Sequence, residues 1–335
     1  MVLSTEKTIA VSQQFIMTKN FLKERSLLFA PMEGVTDAHY RETVQELYPE
    51  WDFVATDFLR IPSVGMFKEK HFIEHIGSEV YNSSLMDNTI FQILASERSL
   101  TLEHMPIINA LNIDWLDINL GCPSKTVCKN KGGSYLLSDL KILKDIIRTI
   151  RSNFKGHFTA KIRVGYQDDL NFENVLRLLE DEGVEAITIH ARTRNELYKG
   201  VANWDYVKQA VKVCSVPVIG NGDIWSTDDI ERYYDYTGAH SVMIARGALK
   251  TPWLAKLYKN KQADSLEERA QFLKIYFDKL YNKTAHLYDE ERVRIKRLKA
   301  VARYIFEPYP EELGIKRSFL LSKSYEQMQS ALSLI

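Results

Sequence analysis

Paired cysteines, long apolar runs and an excess of one charge would each indicate a class of protein, and this sequence has little of any of them. Only three of its 335 residues are cysteines, Cys122, Cys128 and Cys214, and their spacing is not paired. No disulfide framework is indicated, so a reduced, cytoplasmic protein is expected. No run approaches the ~18 consecutive apolar residues of a membrane helix. Charge of neither sign predominates, because 44 lysines and arginines balance 44 aspartates and glutamates. A nucleic-acid site would therefore have to be a local patch.

The first 25 residues lack a targeting pattern. They mix polar and apolar types without a hydrophobic centre and a small-residue cleavage site, so we interpret residues 1–25 as an extension or flexible tail. Histidine and cysteine also lack metal-ligand spacing, since Cys128 lies in a lysine-rich loop that no histidine accompanies. We expect no metal site.

What the sequence does contain is a repeated alternation of apolar runs and helix-like segments from Leu27 to Ala245. Near-continuous apolar runs are typical of parallel strands that are covered on both faces. About eight such units match a (β/α)8 TIM barrel, which we place at residues 26–252. The predicted strands are Leu27–Ala30, Phe53–Thr56, Ile90–Leu94, Trp115–Ile118, Phe158–Ile162, Ala186–Ile189, Val216–Ile219 and Ser241–Ile244.

After Pro252 the strand candidates stop, and the pattern predicts an all-helical domain at residues 253–335. The whole chain is thus predicted to be an α/β protein, and we expect it to be monomeric. One of its helices has an apolar stripe beside a basic one. The apolar stripe should pack, and the basic stripe either meets phosphate or is simply solvated. The basic stripe consists of Arg292, Lys296, Lys299 and Arg303, and the apolar stripe of Ile295, Leu298, Ala302 and Ile305.

Barrel enzymes carry their chemistry at the carboxyl ends of the strands, so the strand exits define the candidate site. Nearly every exit of the predicted barrel has a side chain that can hydrogen-bond. The exits are Pro31–Met32, Asp57, Gln92, Asn119, Lys161, His190, Asn221–Asp223 and Arg246–Gly247.

Several exits suit a phosphorylated, planar cofactor. The glycine-bearing loops at residues 220–223 and 245–248 follow the last two strands, where barrels often bind phosphate, although glycine is also common in ordinary turns. An interior ammonium at Lys161 would be costly unless it met an anion, such as a reduced flavin. Gln92, Asn119 and His190 could fix the edge of a heterocycle, or they could be satisfied structural residues.

Cys122 lies on a tight turn directly after the fourth predicted strand. From its position it could be a nucleophile, a metal ligand, a proton donor or a small buried packing residue. A thiol with an ordinary pKa of about 8.5 stays protonated at neutral pH and can act as a general acid without an activating base.

Taken in order, the exit motifs resemble those of the tRNA-dihydrouridine synthase family, from about Leu27 through the helical tail. Glu33, Ser124–Val127 and Ile224–Trp225 are most similar to the bacterial C-type branch. The motifs are Ala30–Asp37, Thr56–Arg60, Gly121–Val127, Lys161–Arg163, His190–Thr193, Asn221–Trp225 and Arg246–Gly247.

The resemblance implies a TIM-barrel flavoenzyme that uses FMN and NADPH to reduce a D-loop uridine of tRNA to dihydrouridine. It implies position 16 as the target, with position 20 or 20a as the alternative. Cys122 falls on the proton donor of the family. The implied cofactor contacts fall on Pro31, Met32, Glu33, Gln92, Asn119, Lys161, His190, Asn221, Gly222, Asp223, Ala245 and Arg246.

For the tRNA partner, the resemblance and the basic stripe together predict a set of contacts on both domains. Arg163 is expected near the site and Tyr198 at a position of RNA contact. The full predicted set is Arg60, Arg163, Arg192, Tyr198, Arg292, Arg294, Lys296 and Lys299. Because structured RNA is recognised largely by shape and by splayed-out bases, these contacts do not by themselves fix the modified position.

The sequence departs from the family pattern where Ala191 and Ala245 replace glycines, which puts the local loop shape in question unless their φ is negative. Two other function classes stay open from the residues alone. One is a flavoprotein that acts on free pyrimidines, which would not need a basic helical domain. The other is a tRNA-binding factor without chemistry.

Overall fold

The computed structural model describes residues 21–285, 290–307 and 314–333. Its nine strands include all eight that the sequence predicts. The additional strand, Leu59–Arg60, is too short to give a periodic signal and pairs only with the strand at Thr89–Leu94. The strands are β1 (Leu27–Phe29), β2 (Phe53–Ala55), β3 (Leu59–Arg60), β4 (Thr89–Leu94), β5 (Trp115–Leu120), β6 (His157–Arg163), β7 (Ala186–His190), β8 (Val218–Asn221) and β9 (Ser241–Ile244).

All strand pairs are parallel, and eight of the strands close into a ring. The order runs β2, β1, β9, β8, β7, β6, β5, β4, and β4 then pairs with β2. This closure confirms the predicted (β/α)8 barrel. Strand β8 begins two residues later than predicted, directly after Pro217, which has no N–H to give to a ladder.

The helices between the strands bury one apolar face each. In α6 the buried residues recur at three- and four-residue spacing, and the carboxylate of Asp139 caps its first turn. The helices of the described residues are α1 (Ala38–Leu47), α2 (Glu69–Ile76), α3 (Ser78–Tyr81), α4 (Thr101–Ala110), α5 (Lys125–Lys129), α6 (Leu140–Asn153), α7 (Phe172–Asp181), α8 (Asp205–Val213), α9 (Thr227–Thr237), α10 (Arg246–Lys250), α11 (Leu254–Asn260), α12 (Leu266–Ala285), α13 (Glu291–Ile305), α14 (Ile315–Leu321) and α15 (Tyr325–Leu332).

The end of the segment predicted as an extension closes the amino-terminal opening of the barrel. Phe21 stacks on the ring of His157 with centroids 4.3 Å apart and meets Trp115 edge-on. Leu22 is buried among the lowest lumen residues. Arg25 pairs with Glu231 at 2.5 Å. Residues 21–25 are therefore part of the barrel floor, and residues 1–20 lie outside the described residues.

Beyond Pro252 the described residues contain helices and no strand, which confirms the predicted helical carboxyl-terminal region. Helix α12 packs on α1 through aromatic contacts, with Tyr276 against Tyr40 and Phe272 against Tyr48. Arg297 on α13 forms an ion pair with Asp37, the residue that caps α1. Because Asp37 follows the β1 exit, α13 lies beside the carboxyl-terminal face of the barrel.

Among the described residues, no helix has both the length and the apolar character needed to cross a membrane.

Candidate active site

A cavity of about 550 Å³ opens at the carboxyl ends of the barrel strands. Barrel enzymes place their active sites at this face. Its wall combines the exit loops of β1, β5, β6, β7, β8 and β9 with residues from outside the barrel. The lining residues are Ala30, Pro31, Met32, Glu33, Val35, Phe58, Asn119, Gly121, Cys122, Pro123, Ser124, Lys161, Arg163, His190, Tyr198, Asn221, Gly222, Asp223, Ile224, Trp225, Met243, Ile244, Ala245, Arg246, Gly247, Leu249 and Tyr304.

The turn after β5 presents Cys122 to this cavity. The side-chain oxygen of Asn119 accepts the backbone N–H groups of Gly121 and Cys122, at 3.1 and 2.9 Å. Ser134 donates from its hydroxyl to the carbonyl oxygen of Cys122 at 2.8 Å. Gly133 has φ +56°, and a Cβ there would lie 3.1 Å from the Cβ of Cys122, so glycine suits this position in both conformation and space. Both sides of the turn are thus fixed.

The thiol of Cys122 is 6% exposed. Burial raises its pKa, the carboxylate of Glu33 raises it further, and Arg60 opposes the shift. The thiol therefore stays protonated at neutral pH. A proton donor needs this protonated form, whereas an activated nucleophile would be a thiolate. Cys128 is also buried, but it does not line the cavity.

Cations gather beside this turn, on the neighbouring strand β6. Burial, with Arg163 nearby, lowers the pKa of Lys161 to about 8. The ammonium of Lys161 lies 3.5 Å from the side-chain oxygen of Asn221. Arg163 is anchored by the carbonyl oxygens of Gly121 and Thr193, at 3.0 Å each. A lysine of this kind is costly to bury and is suited to an anionic partner.

His190 is neutral at this wall. Burial lowers its pKa well below the ordinary value, and the surrounding cations Arg163, Lys161, Arg192 and Arg246 lower it further. A guanidinium nitrogen of Arg192 lies 3.4 Å from Nε2 of His190. Because a guanidinium can only donate, Nε2 accepts, and the ring proton is on Nδ1.

The loops after β8 and β9 form the third side of the cavity. Gly222 has φ +125°, and a Cβ there would come 3.0 Å from Ala202 and 3.3 Å from His190. Burial alone would raise the pKa of Asp223, but Arg192 and Arg246 bring it below its usual value. Asp223 accepts hydrogen bonds from Arg192 at 2.6 Å and from Arg246 at 2.9 Å.

The two alanines that replace family glycines fit their loops. Ala245 has φ −104°, and Ala191 is not among the residues with positive φ. Neither position therefore has the positive φ that would require glycine.

Of the predicted cofactor residues, Gln92 is the one that does not line the cavity. It is fully buried one layer deeper in the barrel lumen, where its amide nitrogen donates to Asp117 at 2.8 Å. Its amide oxygen accepts from Asn119 at 2.8 Å. Gln92 therefore touches the cavity only through Asn119.

The predicted RNA residues divide into three groups: Arg163 and Tyr198 at the cavity, Arg60 and Arg192 elsewhere on the barrel, and four residues on helix α13. Tyr198 lines the cavity and is 56% exposed, and its ring lies between the guanidinium groups of Arg163 and Arg246, at 5.4 and 5.2 Å. Arg60 is exposed on β3. Arg192 is 1% exposed and bound to Asp223, a placement that favours positioning of the loop over contact with RNA.

Helix α13 carries the third group. Arg292 and Lys296 are exposed and Lys299 is half-buried, as is Arg294, which packs over the ring of Tyr281 at 5.0 Å. Tyr281 accepts a hydrogen bond from Arg294 at 3.0 Å. The apolar stripe is buried, as its periodicity predicts: Ile295, Leu298, Ala302 and Ile305.

Several residues at or below the site were not assigned a role by the sequence reasoning, and four of them have aromatic or charged side chains. Phe58 and Trp225 line the cavity beside predicted residues. Tyr304, on α13, brings the helical region into the cavity wall and lies one residue after the end of the basic stripe. Asp117 is buried in the lumen within an apolar run, and only its charge inside that run could have drawn attention to it. Among the described residues, no three His, Cys, Asp or Glu side chains group as metal ligands.

Comparison with known proteins identifies relatives over most of the chain. The model of the family "Dihydrouridine synthase (Dus)" matches residues 28–330. A tRNA-dihydrouridine(16) synthase of Shewanella oneidensis is 32% identical over 310 residues, which are 90% of this chain and 95% of that protein. One from Pseudomonas syringae pv. tomato is 32% identical over 69% of this chain and 73% of its own length. A probable tRNA-dihydrouridine synthase of Aquifex aeolicus is 31% identical over 75% and 78%.

Solved structures with little sequence similarity share the fold. A 2-naphthoyl-CoA reductase complex aligns with a TM-score of 0.56 at 9% identity over 73% of this chain. A histamine dehydrogenase from Rhizobium sp. 4-9 aligns with a TM-score of 0.54 at 11% identity over 70%. The chain spans about half the length of each, 51% and 46%.

Proposed function

The chain belongs to the dihydrouridine synthase family, and we propose that it reduces uridine to 5,6-dihydrouridine in the D-loop of tRNA, with FMN as cofactor and NADPH as electron donor. In this proposal residues 26–252 form the catalytic, FMN-binding domain and residues 253–335 the tRNA-binding domain. One observation carries it: a protonated thiol, that of Cys122, lines the same cavity as the cationic wall of Lys161 and Arg246.

The cavity residues fit FMN. The buried ammonium of Lys161 suits an anionic ring system, and neutral His190 can hydrogen-bond a heterocycle edge. Arg246 and the loops at Gly222 and Ala245 lie after the last two strands, where barrels bind phosphate. When bound and reduced, FMN supplies the hydride for C6 of the uracil ring.

Cys122 supplies the other half of the reduction. Saturation of the C5–C6 double bond of uracil requires one hydride and one proton. The raised pKa of Cys122 keeps its proton available for C5, and the fixed turn from Asn119 to Cys122 holds the sulfur at the cavity wall. Solvent restores the proton to the thiolate afterwards.

The remaining cavity residues bind and orient. Tyr198 offers an exposed ring held between two guanidinium groups, a suitable surface for an unstacked base or its ribose. Pro31, Met32 and Glu33 form the wall at the β1 exit, and Asn119 reaches the cavity directly above Gln92.

A tRNA substrate explains why the helical region meets the cavity. The uridine must leave its stack to reach a barrel mouth, at a cost of a few kcal/mol that backbone contacts elsewhere must offset. Exposed Arg292 and Lys296 on α13, with Arg60 on β3, provide such contacts. Tyr304, from the same helix, forms part of the cavity wall. An enzyme of free pyrimidines would need none of this.

Position 16 is the proposed target, because relatives named for that position match most of the chain. The test is to map dihydrouridine in tRNA from cells that lack this gene, with and without the gene restored. Restoration should return dihydrouridine at position 16 alone. Return at position 20 or 20a would correct the position, and no return at any D-loop uridine would overturn the proposal.

A further inference from the structure

The barrel lumen contains a buried carboxyl group that the reaction above does not use. Asp117 on β5 is 3% exposed, and its neighbours in the strand, Leu116 and Ile118, pack outward against the helices. Side chains alternate along a strand, so Asp117 and Asn119 point into the lumen together. A lone carboxyl group at this depth is costly and requires partners.

The partners of Asp117 are both donors. Thr159 accepts the indole N–H of Trp115 at 2.9 Å, so its single hydroxyl proton is directed to Oδ1 of Asp117, 2.6 Å away. The amide nitrogen of Gln92 donates to Oδ2 at 2.8 Å. Both oxygens of Asp117 therefore accept, which suits the ionised carboxylate. A proton on Oδ2 would face the amide protons of Gln92, and a proton on Oδ1 would displace the hydroxyl proton of Thr159 from its acceptor.

This polarity is passed along the lumen. Since the amide nitrogen of Gln92 faces Asp117, its oxygen must face Asn119, whose amide nitrogen donates to it at 2.8 Å. The oxygen of Asn119 is then left to accept the backbone N–H groups of Gly121 and Cys122. If either amide rotated by half a turn, acceptor would face acceptor on one side of it and donor would face donor on the other. The series thus has one satisfied arrangement, and Asp117 determines it.

We propose that Asp117 is a positioning residue, whose carboxylate orients the amides of Gln92 and Asn119 and thereby holds the Cys122 turn in place for proton donation. This rests on the proposed function. In this proposal Gln92 connects Asp117 to Asn119 by hydrogen bonds, in addition to any contact with the cofactor.

The arrangement should fail in mild acid. Burial raises the pKa of Asp117 to about 6, although its two hydrogen bonds and the ammonium of Lys161 on β6 act against that shift. Lys161 is the charged group acting on Asp117 among the described residues, while β4 presents the neutral amide of Gln92 and β6 the hydroxyl of Thr159. Below about pH 6 Asp117 takes a proton, and the protonated oxygen can then no longer accept from its donor.

The first test is Asp117→Asn, in which the new amide nitrogen either displaces the hydroxyl proton of Thr159 from its acceptor or faces the amide nitrogen of Gln92, which must then rotate. With reduced, FMN-loaded protein and tRNA that lacks dihydrouridine, we expect the single-turnover rate to fall on the order of 10- to 100-fold. Flavin content and tRNA affinity should be unchanged. As the pH is lowered through about 6, the wild-type single-turnover rate should decrease. The rate of the variant should show no such decrease.

A second variant reverses the first. In the double variant Asp117→Asn, Gln92→Glu, the new amide at position 117 can accept from Thr159 and donate to the new carboxylate at position 92, which still accepts from Asn119. The net charge of the lumen and the hydrogen-bond polarity at Asn119 are both restored, so the rate should return to within a few-fold of wild type. A merely structural role for the charge at position 117 would not predict this rescue.

The outcomes separate the two claims. If the wild-type protein makes no dihydrouridine, the proposed function fails. If wild type is active but its rate is level between pH 5 and 7, or if Asp117→Asn matches it, the positioning role is overturned. A double variant no faster than the single one also overturns it. The wild-type pH profile decides even where Asp117→Asn does not fold.

Discussion

The cavity of the barrel and the outer face of helix α13 both carry cationic side chains, and the fold places them in opposite environments. In the cavity, Lys161 is half-buried among fixed partners, and burial lowers its pKa to about 8. On α13, Arg292 and Lys296 extend into solvent. Buried charges cost free energy and are kept for a specific partner, whereas exposed ones add small, screened contributions. Substitutions in the cavity should therefore act on chemistry, and those on α13 should act on affinity in small steps.

The largest effect is expected for Cys122→Ala, which removes the proton donor. The single-turnover rate of dihydrouridine formation should fall by roughly 10²- to 10⁴-fold, the usual contribution of a general acid. Flavin content and tRNA affinity should stay within a few-fold of wild type. Rapid mixing of reduced protein with tRNA, followed by quantification of dihydrouridine, measures this.

Cys128→Ala is the matched control for Cys122→Ala. It removes a second buried thiol from the same loop, one that does not line the cavity. We expect little change in rate. Equal losses in the two variants would show that loop packing, and not proton donation, accounts for the effect at Cys122.

The next effect is expected for Lys161→Ala. Loss of the ammonium should slow or abolish flavin reduction by NADPH while tRNA affinity is retained, because this charge faces the cavity and not the RNA surface. In the wild-type protein the same step should slow as pH rises through about 8, since the pKa of Lys161 is lowered to about 8 and the charged form is lost above it. Stopped-flow absorbance of the flavin reports both. Weaker tRNA binding with normal flavin chemistry would contradict the placement.

The α13 stripe should respond gradually. Each of Arg292→Ala and Lys296→Ala should weaken tRNA binding several-fold, and removal of one phosphate interaction should reduce the slope of log affinity against log salt by about 0.7 to 0.9. The rate with saturating tRNA should be unchanged. Binding titrations at several salt concentrations test this, with the exposed Lys212 on α8 changed to alanine as the control. A fall in the saturated rate would mean that the stripe takes part in chemistry.

The smallest effect is expected for Tyr304→Ala, which connects the two regions. Tyr304 lies on α13 but lines the cavity, so its loss should raise the KM for tRNA a few-fold and leave flavin reduction by NADPH unchanged. Tyr304→Phe separates the ring from its hydroxyl. If only the ring matters, this variant should match wild type. An effect on flavin reduction would place Tyr304 with the cofactor.

The two regions also differ in how far the sequence predicts them. The eight barrel strands are predictable because parallel strands buried on both faces appear as continuous apolar runs, and the exits then follow from barrel geometry. β3 has only two residues and leaves no such signal. The sequence analysis counts Gln92 among the exits, but Gln92 lies within β4, two residues before that strand ends, and is therefore deeper than the residues at the rim. The positions of Tyr304 and Phe21 depend on packing between segments that are distant in the sequence. Periodicity within one segment does not predict such packing.

The most direct test of the central claim is to incubate the purified protein, FMN and NADPH with tRNA that lacks dihydrouridine, and to measure the dihydrouridine formed per tRNA. The account predicts close to one D-loop dihydrouridine per tRNA, dependent on both FMN and NADPH, with no turnover of free uracil. No dihydrouridine in tRNA, or reduction of free uracil that persists without the helical domain after residue 252, would contradict it.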